Sequence, residues 1–179
     1  MLCYPGLVNT HHHLYQQFSR NLPEVQGFEL FDWLRYLYDI WKNIDEELIT
    51  LSSLTGMGEL MKNGCTTCFD HHYVFPRDGG DLIAAQFEAA GLIGMRMHAS
   101  RGSMDLSKKD GGLPPDSVVQ TIDEIMKDSV RLIEKYHDPS KGSMRQIALA
   151  PCSPFSVSGE LLRDCLLYTS PSPRDRSVS

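Results

Sequence analysis

The chain has 179 residues, of which 41% are hydrophobic and 22% are charged. This composition is that of a globular domain and excludes a disordered tail or a fibre. The formal net charge of -6 argues against nucleic acid as a partner, because that binding needs clustered positive charge. No apolar run approaches the roughly 20 residues that cross a bilayer, and the first residues lack a signal-peptide pattern. We therefore expect a cytoplasmic protein with no membrane partner, and the odd number of five cysteines favours free thiols over a disulfide framework.

Strand and helix signals alternate from the start of the chain. The apolar run at residues 6–8 predicts a first strand. Apolar residues at helical spacing predict a helix over residues 28–41. A second helix is predicted to start at Asn43, which forms a capping-box pattern with Glu46, and to end at the pair Asn63-Gly64.

The same alternation continues through the second strand. Residues 65–69 predict that strand, residues 81–90 predict a helix that stops at Gly91, and residues 92–97 predict a third strand. A long loop that carries Arg101 and Gly102 is expected next, and long loops are often functional.

The last elements complete a repeating pattern. Asp116 is predicted to cap a helix, residues 146–150 predict a fourth strand, and another helix is expected near Ser158. Four strand–helix units, each with a strand that is apolar throughout, predict an α/β fold with a parallel sheet, either open and doubly wound or closed as a barrel.

The character of the chain changes after Asp164. Residues 165–175 show no helical period, and they resemble the translation of a transposon-type sequencing adapter. We therefore expect residues 1–164 to be native and residues 165–179 to be a non-native tail, in which Cys165 has no chemical role. The alternative is a natural terminal linker rich in serine and proline.

A histidine cluster gives the sharpest chemical signal. In an extended strand the side chains alternate, so His11 and His13 point the same way and can chelate one metal ion, while His12 points to the other face. Imidazole suits zinc and similar transition metals. The alternative is a chance cluster or a purification tag.

The motif around these histidines resembles the opening strand of the amidohydrolase superfamily. Further segments resemble its 8-oxoguanine deaminase branch, which is often labelled hydroxydechloroatrazine ethylaminohydrolase. The opening-strand motif is PGLVNTHHH at 5–13. The further segments are LYQ at 14–16, FDWL at 31–34, GCTT at 64–67, DHHY at 70–73, HASRGSM at 98–104, GGLPPDS at 111–117 and APCSPFS at 150–156.

The resemblance implies a fold and a reaction. The chain would be the N-terminal half, about four βα units, of a TIM-type (β/α)8 metal-dependent hydrolase barrel. His11 and His13 would bind one divalent metal, zinc or iron, and the other ligands and the acid/base residues would lie beyond Asp164. The complete enzyme would be a homo-oligomer that deaminates 8-oxoguanine to urate and ammonia, whereas the half alone would be insoluble or molten and inactive.

Other functions stay open at this point. A triazine or another aminated heterocycle is an alternative small-molecule substrate. A non-catalytic α/β module that only holds metal is an alternative from a different class.

Two residues are candidates for substrate contact. The resemblance places Gln16 where guanine deaminases have a glutamine that binds the purine, and an amide both donates and accepts hydrogen bonds. It places Cys152 at a substrate-reading position after the fourth strand. An ordinary surface role for Gln16 and simple packing of Cys152 are the alternatives.

Several other polar residues have mainly structural interpretations. His71, His72 and His98 are expected at the C-terminal ends of strands 2 and 3, where structural hydrogen bonding is favoured over substrate contact. Arg101 is expected to pair with a loop carboxylate, and contact with a substrate carbonyl or anion is the alternative. The CxxC spacing at residues 65–68 is interpreted as core cysteines, because no second CxxC follows.

Overall fold

The computed structural model describes residues 2–169. Its centre is a four-stranded sheet in which β1, β2, β3 and β4 are neighbours in chain order and every pair is parallel. The strands are β1 (Leu7–His12), β2 (Cys65–His72), β3 (Arg96–Ser103) and β4 (Arg145–Pro151). The helices are α1 (Leu30–Trp41), α2 (Glu46–Lys62), α3 (Leu82–Ile93), α4 (Ile122–Tyr136) and α5 (Gly159–Thr169).

The order of the strands determines where the helices lie. Right-handed crossovers between successive neighbours place the connecting helices on one face of the sheet. Strand β2 shows the result, because Cys68, Asp70 and His72 are buried while Phe69 and His71 between them are only partly buried. One face is therefore covered by helices, and the other is open.

The core fills the space between the sheet and its helices. Cys65 and Cys68 are both free and buried within it, as the sequence predicts. Other fully buried members come from α1, α2 and α3, and they are Leu37, Trp41, Ile49, Met57, Leu82 and Ile83.

The start of α2 and the end of α3 differ from the sequence predictions. Asp45 rather than Asn43 caps α2, since its carboxylate accepts the Leu48 amide at 2.8 Å. The Asn43 side chain instead donates to carbonyls at the end of α1. Helix α3 does not stop at Gly91 but continues to Gly94, whose φ of 78° ends it in the left-handed conformation that glycine adopts readily.

Because α3 ends later than predicted, strand β3 also begins later than predicted. Residues 92–93 are helical, so β3 begins at Arg96 and runs to Ser103. Arg101 and Gly102 consequently belong to this strand rather than to a loop, and His98 lies near the start of the strand rather than at its C-terminal end.

The start of α4 and the end of α5 also differ from the sequence predictions. Thr121 caps α4 in a capping box with Glu124, whereas Asp116 begins only a short 3-10 turn. Helix α5 continues to Thr169, because Cys165 follows Leu161 by four residues and both are buried in one small apolar cluster. The expectation of no helix beyond Asp164 is thus wrong for residues 165–169.

The rest of the predicted tail, residues 170–179, lies outside the described residues. Across residues 2–169, none of the helices combines the length and the apolar character that a membrane span requires.

Candidate metal centre and substrate cleft

The two predicted metal ligands lie together at the end of β1. The Nε2 atoms of His11 and His13 are 3.2 Å apart. Two nitrogens bound at about 2.05 Å to one tetrahedral zinc ion would be roughly 3.3 Å apart. The observed spacing therefore fits a shared ion, and it follows from the alternation of side chains along the strand.

The imidazole of His13 is oriented by the neighbouring strand. Its Nδ1 lies 2.7 Å from the carbonyl oxygen of His71. A carbonyl only accepts, so Nδ1 carries the proton and Nε2 keeps a free lone pair directed at His11. Burial lowers the pKa of His13 to about 4, which keeps the ring neutral at pH 7. A metal-binding histidine commonly shows this arrangement, with its second nitrogen fixed by a carbonyl.

The backbone that follows His13 is also fixed. The amide of Leu14 donates to Asp70 Oδ1 at 2.6 Å, and the side chain of Gln86 donates to Asp70 Oδ2 at 2.6 Å. Asp70 is fully buried on β2. The role of Asp70 could not be predicted from the sequence, because its partners lie 56 and 16 residues away along the chain.

Gln16 shares a cleft with the histidine pair. This cleft has a volume of about 380 Å³, and its walls include His11, His13, Gln16 and Trp33. The Gln16 amide donates to the Tyr15 hydroxyl at 3.2 Å, which leaves its carbonyl oxygen for another donor. The structure thus brings together three of the four predicted site residues.

Cys152 does not line that cleft. It follows β4, its amide donates to the Ser103 carbonyl at 3.0 Å, and its thiol lies close enough to Tyr38 and Tyr73 to influence their pKa. Burial raises the pKa of Cys152 to about 11, so the thiol is protonated at neutral pH. Tyr73 connects Cys152 with the His11–His13 pair, because the Tyr73 ring packs edge-on against the His13 ring with their centroids 5.5 Å apart.

The two histidines at the end of β2, His71 and His72, make structural hydrogen bonds. His71 Nε2 lies 3.1 Å from the Ala150 carbonyl on β4. His72 is fully buried, and its Nε2 lies 2.8 Å from the Val74 carbonyl. Burial lowers the pKa of His72 to about 3, so this ring is neutral in the folded protein.

Arg101 pairs with a carboxylate, as expected. The Nε atom donates to Asp128 at 2.7 Å and the Nη2 atom donates to Gln120 at 2.6 Å. The guanidinium also stacks on Phe75, with its carbon 3.9 Å from the ring centroid. The carboxylate belongs to helix α4 and not to a loop.

The metal site is incomplete in the described part of the chain. Within residues 2–169, no three histidine, cysteine or acidic side chains converge in a way that would hold an ion. A larger cleft of about 720 Å³ lies over the loop before α4, and none of the predicted site residues lines it.

Comparison with known sequences identifies similar proteins. A profile described as the amidohydrolase family matches residues 2–170. The 8-oxoguanine deaminase of Pseudomonas aeruginosa is 48% identical over 159 residues, which cover 89% of this chain and 35% of that protein. The hydroxydechloroatrazine ethylaminohydrolase of Pseudomonas sp. strain ADP is 42% identical over 157 residues, which cover 86% of this chain and 33% of that protein. The chain thus spans about a third of the length of these curated relatives.

A solved structure shares the arrangement of strands and helices. The atrazine chlorohydrolase TrzN from Arthrobacter aurescens, in its complex with zinc, matches with a TM-score of 0.86 and 31% identity. The match covers 92% of this chain and 38% of that one. In that chlorohydrolase, the same arrangement of strands and helices is therefore part of a longer chain.

Proposed function

Since this chain belongs to the amidohydrolase family, we propose that it is the metal-binding start of a metal-dependent aminohydrolase. Its parallel sheet with helices on one face is the N-terminal half of a TIM-type barrel, as the sequence predicts. The observation that carries the proposal is the convergence of two imidazole Nε2 atoms, 3.2 Å apart, at the C-terminal edge of the sheet, where barrel enzymes place their active sites.

His11 and His13 are the proposed ligands of one divalent metal. The neutral, oriented ring of His13 supports this role, because a metal ligand must offer a free lone pair. Zinc is favoured over iron, since two imidazoles suit zinc and the similar chlorohydrolase structure is a zinc complex. When bound, such a metal supplies Lewis-acid activation of water.

The proposed substrate is an aminated heterocycle, and 8-oxoguanine is our specific candidate. Support comes from the 48% identity to an 8-oxoguanine deaminase. The Gln16 amide can donate to and accept from the edge of such a ring, and the Trp33 side chain gives the cleft an aromatic wall. Cys152 is the second proposed substrate contact, and it lies outside the cleft lined by His11, His13 and Gln16.

A triazine is the alternative substrate. The 42% identity to a hydroxydechloroatrazine ethylaminohydrolase and the match to a chlorohydrolase structure favour it. Both substrate classes are flat, nitrogen-rich rings, so the cleft beside His13 suits either one.

We further propose that the whole enzyme is a cytoplasmic homo-oligomer that acts on a small molecule and not on nucleic acid. The negative net charge and the five free cysteines support the choice of partner and compartment.

A chimera tests the proposed function. Residues 7–164 of this chain would replace the homologous third of the Pseudomonas aeruginosa 8-oxoguanine deaminase, and release of ammonia would be measured with 8-oxoguanine and with a hydroxylated aminotriazine. We expect zinc-dependent deamination of 8-oxoguanine, with loss of activity in His11→Ala and His13→Ala. Preference for the triazine would favour the alternative substrate. A folded, zinc-loaded chimera that deaminates neither ring would contradict the proposal.

A further inference from the structure

Asp70 is an unusual carboxylate in this fold. It is fully buried, and within residues 2–169 no lysine, arginine or histidine forms an ion pair with it. Each of its oxygens instead accepts one 2.6 Å hydrogen bond, from the Leu14 amide and from the Gln86 side chain. Burying a carboxylate without a counter-charge is costly, so this arrangement calls for an explanation beyond packing.

The Leu14 amide connects Asp70 to the His11–His13 pair. Leu14 directly follows His13, so the hydrogen bond fixes the backbone on one side of that residue. The next residue along β2, His71, uses its carbonyl to hold the His13 ring at 2.7 Å. Positions 70 and 71 thus fix the backbone and the imidazole of the same histidine.

Its second partner is committed to this contact. Gln86 is fully buried on α3, and its Oε1 has no hydrogen-bond partner among residues 2–169. An unpaired buried carbonyl is unfavourable, so the orientation of this side chain is set by the Nε2 bond to Asp70. Helix α3 therefore holds Asp70 in place, and Asp70 holds the turn after His13.

We propose that Asp70 is a positioning residue that keeps the His11 and His13 nitrogens at the separation that one metal ion requires, with Gln86 as its support. The inference rests on the proposed metal-binding role of this pair. It adds a residue that itself touches neither metal nor substrate. Outer partners of this kind commonly change metal affinity by about 10- to 100-fold when they are removed.

The test uses the chimera described above, because the half alone is expected to be insoluble or molten, and Zn²⁺ alone is the probe. Zinc affinity is measured by titration, with the ring signals of His11 and His13 followed by NMR. Asp70→Ala should weaken zinc binding at least about tenfold. Asp70→Asn should restore affinity to near the original value, because the new amide oxygen still accepts from Leu14 and Gln86 can turn its unpaired oxygen toward the new NH₂ group.

Ser100→Ala is the matched control. Ser100 is also fully buried and also accepts a backbone amide at the end of β2, that of His72 at 3.1 Å. Its loss should lower the melting temperature without a change in zinc affinity. If Ser100→Ala and Asp70→Ala weaken zinc binding equally, Asp70 is merely structural and the inference is wrong.

Metal-free measurements separate this inference from the proposed function. Without zinc, Asp70→Ala should speed hydrogen exchange at the Leu14 amide and loosen the single Nδ1–H form of the His13 ring, whereas Ser100→Ala should change neither. If Asp70→Ala does not fold, Gln86→Leu should show the same two changes in weaker form. Unchanged Leu14 and His13 signals would overturn the inference. Altered signals in a chain that binds no zinc would instead count against the proposed metal site.

Discussion

The two halves of the sheet end differently at their common C-terminal edge. Where β1 and β2 end, the Nε2 atoms of His11 and His13 face each other at 3.2 Å, and the His71 carbonyl fixes the His13 ring. Where β3 ends, Arg101 is buried and donates to Asp128, to Gln120 and to the Gly102 carbonyl, so its guanidinium binds groups of the chain itself. Polar groups along one edge of the sheet can thus be placed for a proposed chemical role in one half and for stability in the other.

The largest effect on stability is expected from removing the ion pair between Arg101 and Asp128, where β3 ends. Asp128→Ala leaves the fully buried Arg101 charge without its partner, and loss of one member of a buried pair costs about 3 kcal/mol. Urea unfolding would measure this change. Glu59→Ala is the control, because it breaks an arginine–carboxylate pair that is half exposed on both sides and should shift the midpoint far less. Equal shifts would contradict the contrast between the two halves.

The second effect concerns the chemical half. His13→Ala removes one proposed ligand and should lower zinc affinity by about 100-fold. Loss of an outer partner lowers metal affinity by about 10- to 100-fold, and loss of a direct ligand should reach the upper end of that range. Isothermal titration would measure it. His98→Ala is the control, because His98 lies near the start of β3, away from the edge. Retained zinc affinity in His13→Ala would move the metal site elsewhere.

The third effect is a pH dependence of stability. His72 is neutral in the folded chain because burial lowers its pKa from 6.5 to about 3. Below pH 6.5 the unfolded chain binds a proton that the folded chain does not, so this residue reduces stability as the pH falls from 6.5 toward 3. His72→Gln should flatten that decline when unfolding free energies are compared at pH 4.5 and pH 7. An identical slope in both proteins would exclude a neutral, buried His72.

The smallest effect is a difference in thiol reactivity. The raised pKa of Cys152 keeps its thiol protonated at pH 7.5, and the thiolate is the reactive form. Iodoacetamide should therefore modify the exposed Cys3 well before Cys152, as followed by peptide mass mapping. Faster modification of Cys152 would show that its surroundings stabilise the thiolate.

The sequence was sufficient for the parts that depend on local pattern. Alternation along one strand predicts the convergence of His11 and His13, and four strand–helix units predict the parallel sheet. Helix ends were harder, because Gly91 and Gly94 are both plausible stops and only packing selects the second. The same holds for Asn43 against Asp45 and for Asp116 against Thr121, where the backbone conformation decides which side chain caps.

The polar network around His13 could not be predicted in this way. Asp70, Leu14 and Gln86 belong to three different elements, and no spacing rule links them. The proposed adapter origin of residues 165–179 also stays a prediction, although α5 reaches Thr169. Amplification of the source DNA beyond the codon for Asp164 would test it, since an adapter-derived tail predicts a different downstream sequence in the genome.

The most direct measurement is anomalous X-ray scattering at the zinc edge from crystals of the chimera. We predict one strong peak within bonding distance of both the His11 and the His13 Nε2 atoms, roughly 2.0–2.1 Å from each, at the edge where β1 ends. A zinc peak elsewhere in the barrel, with these two nitrogens free, would contradict the metal-centre assignment.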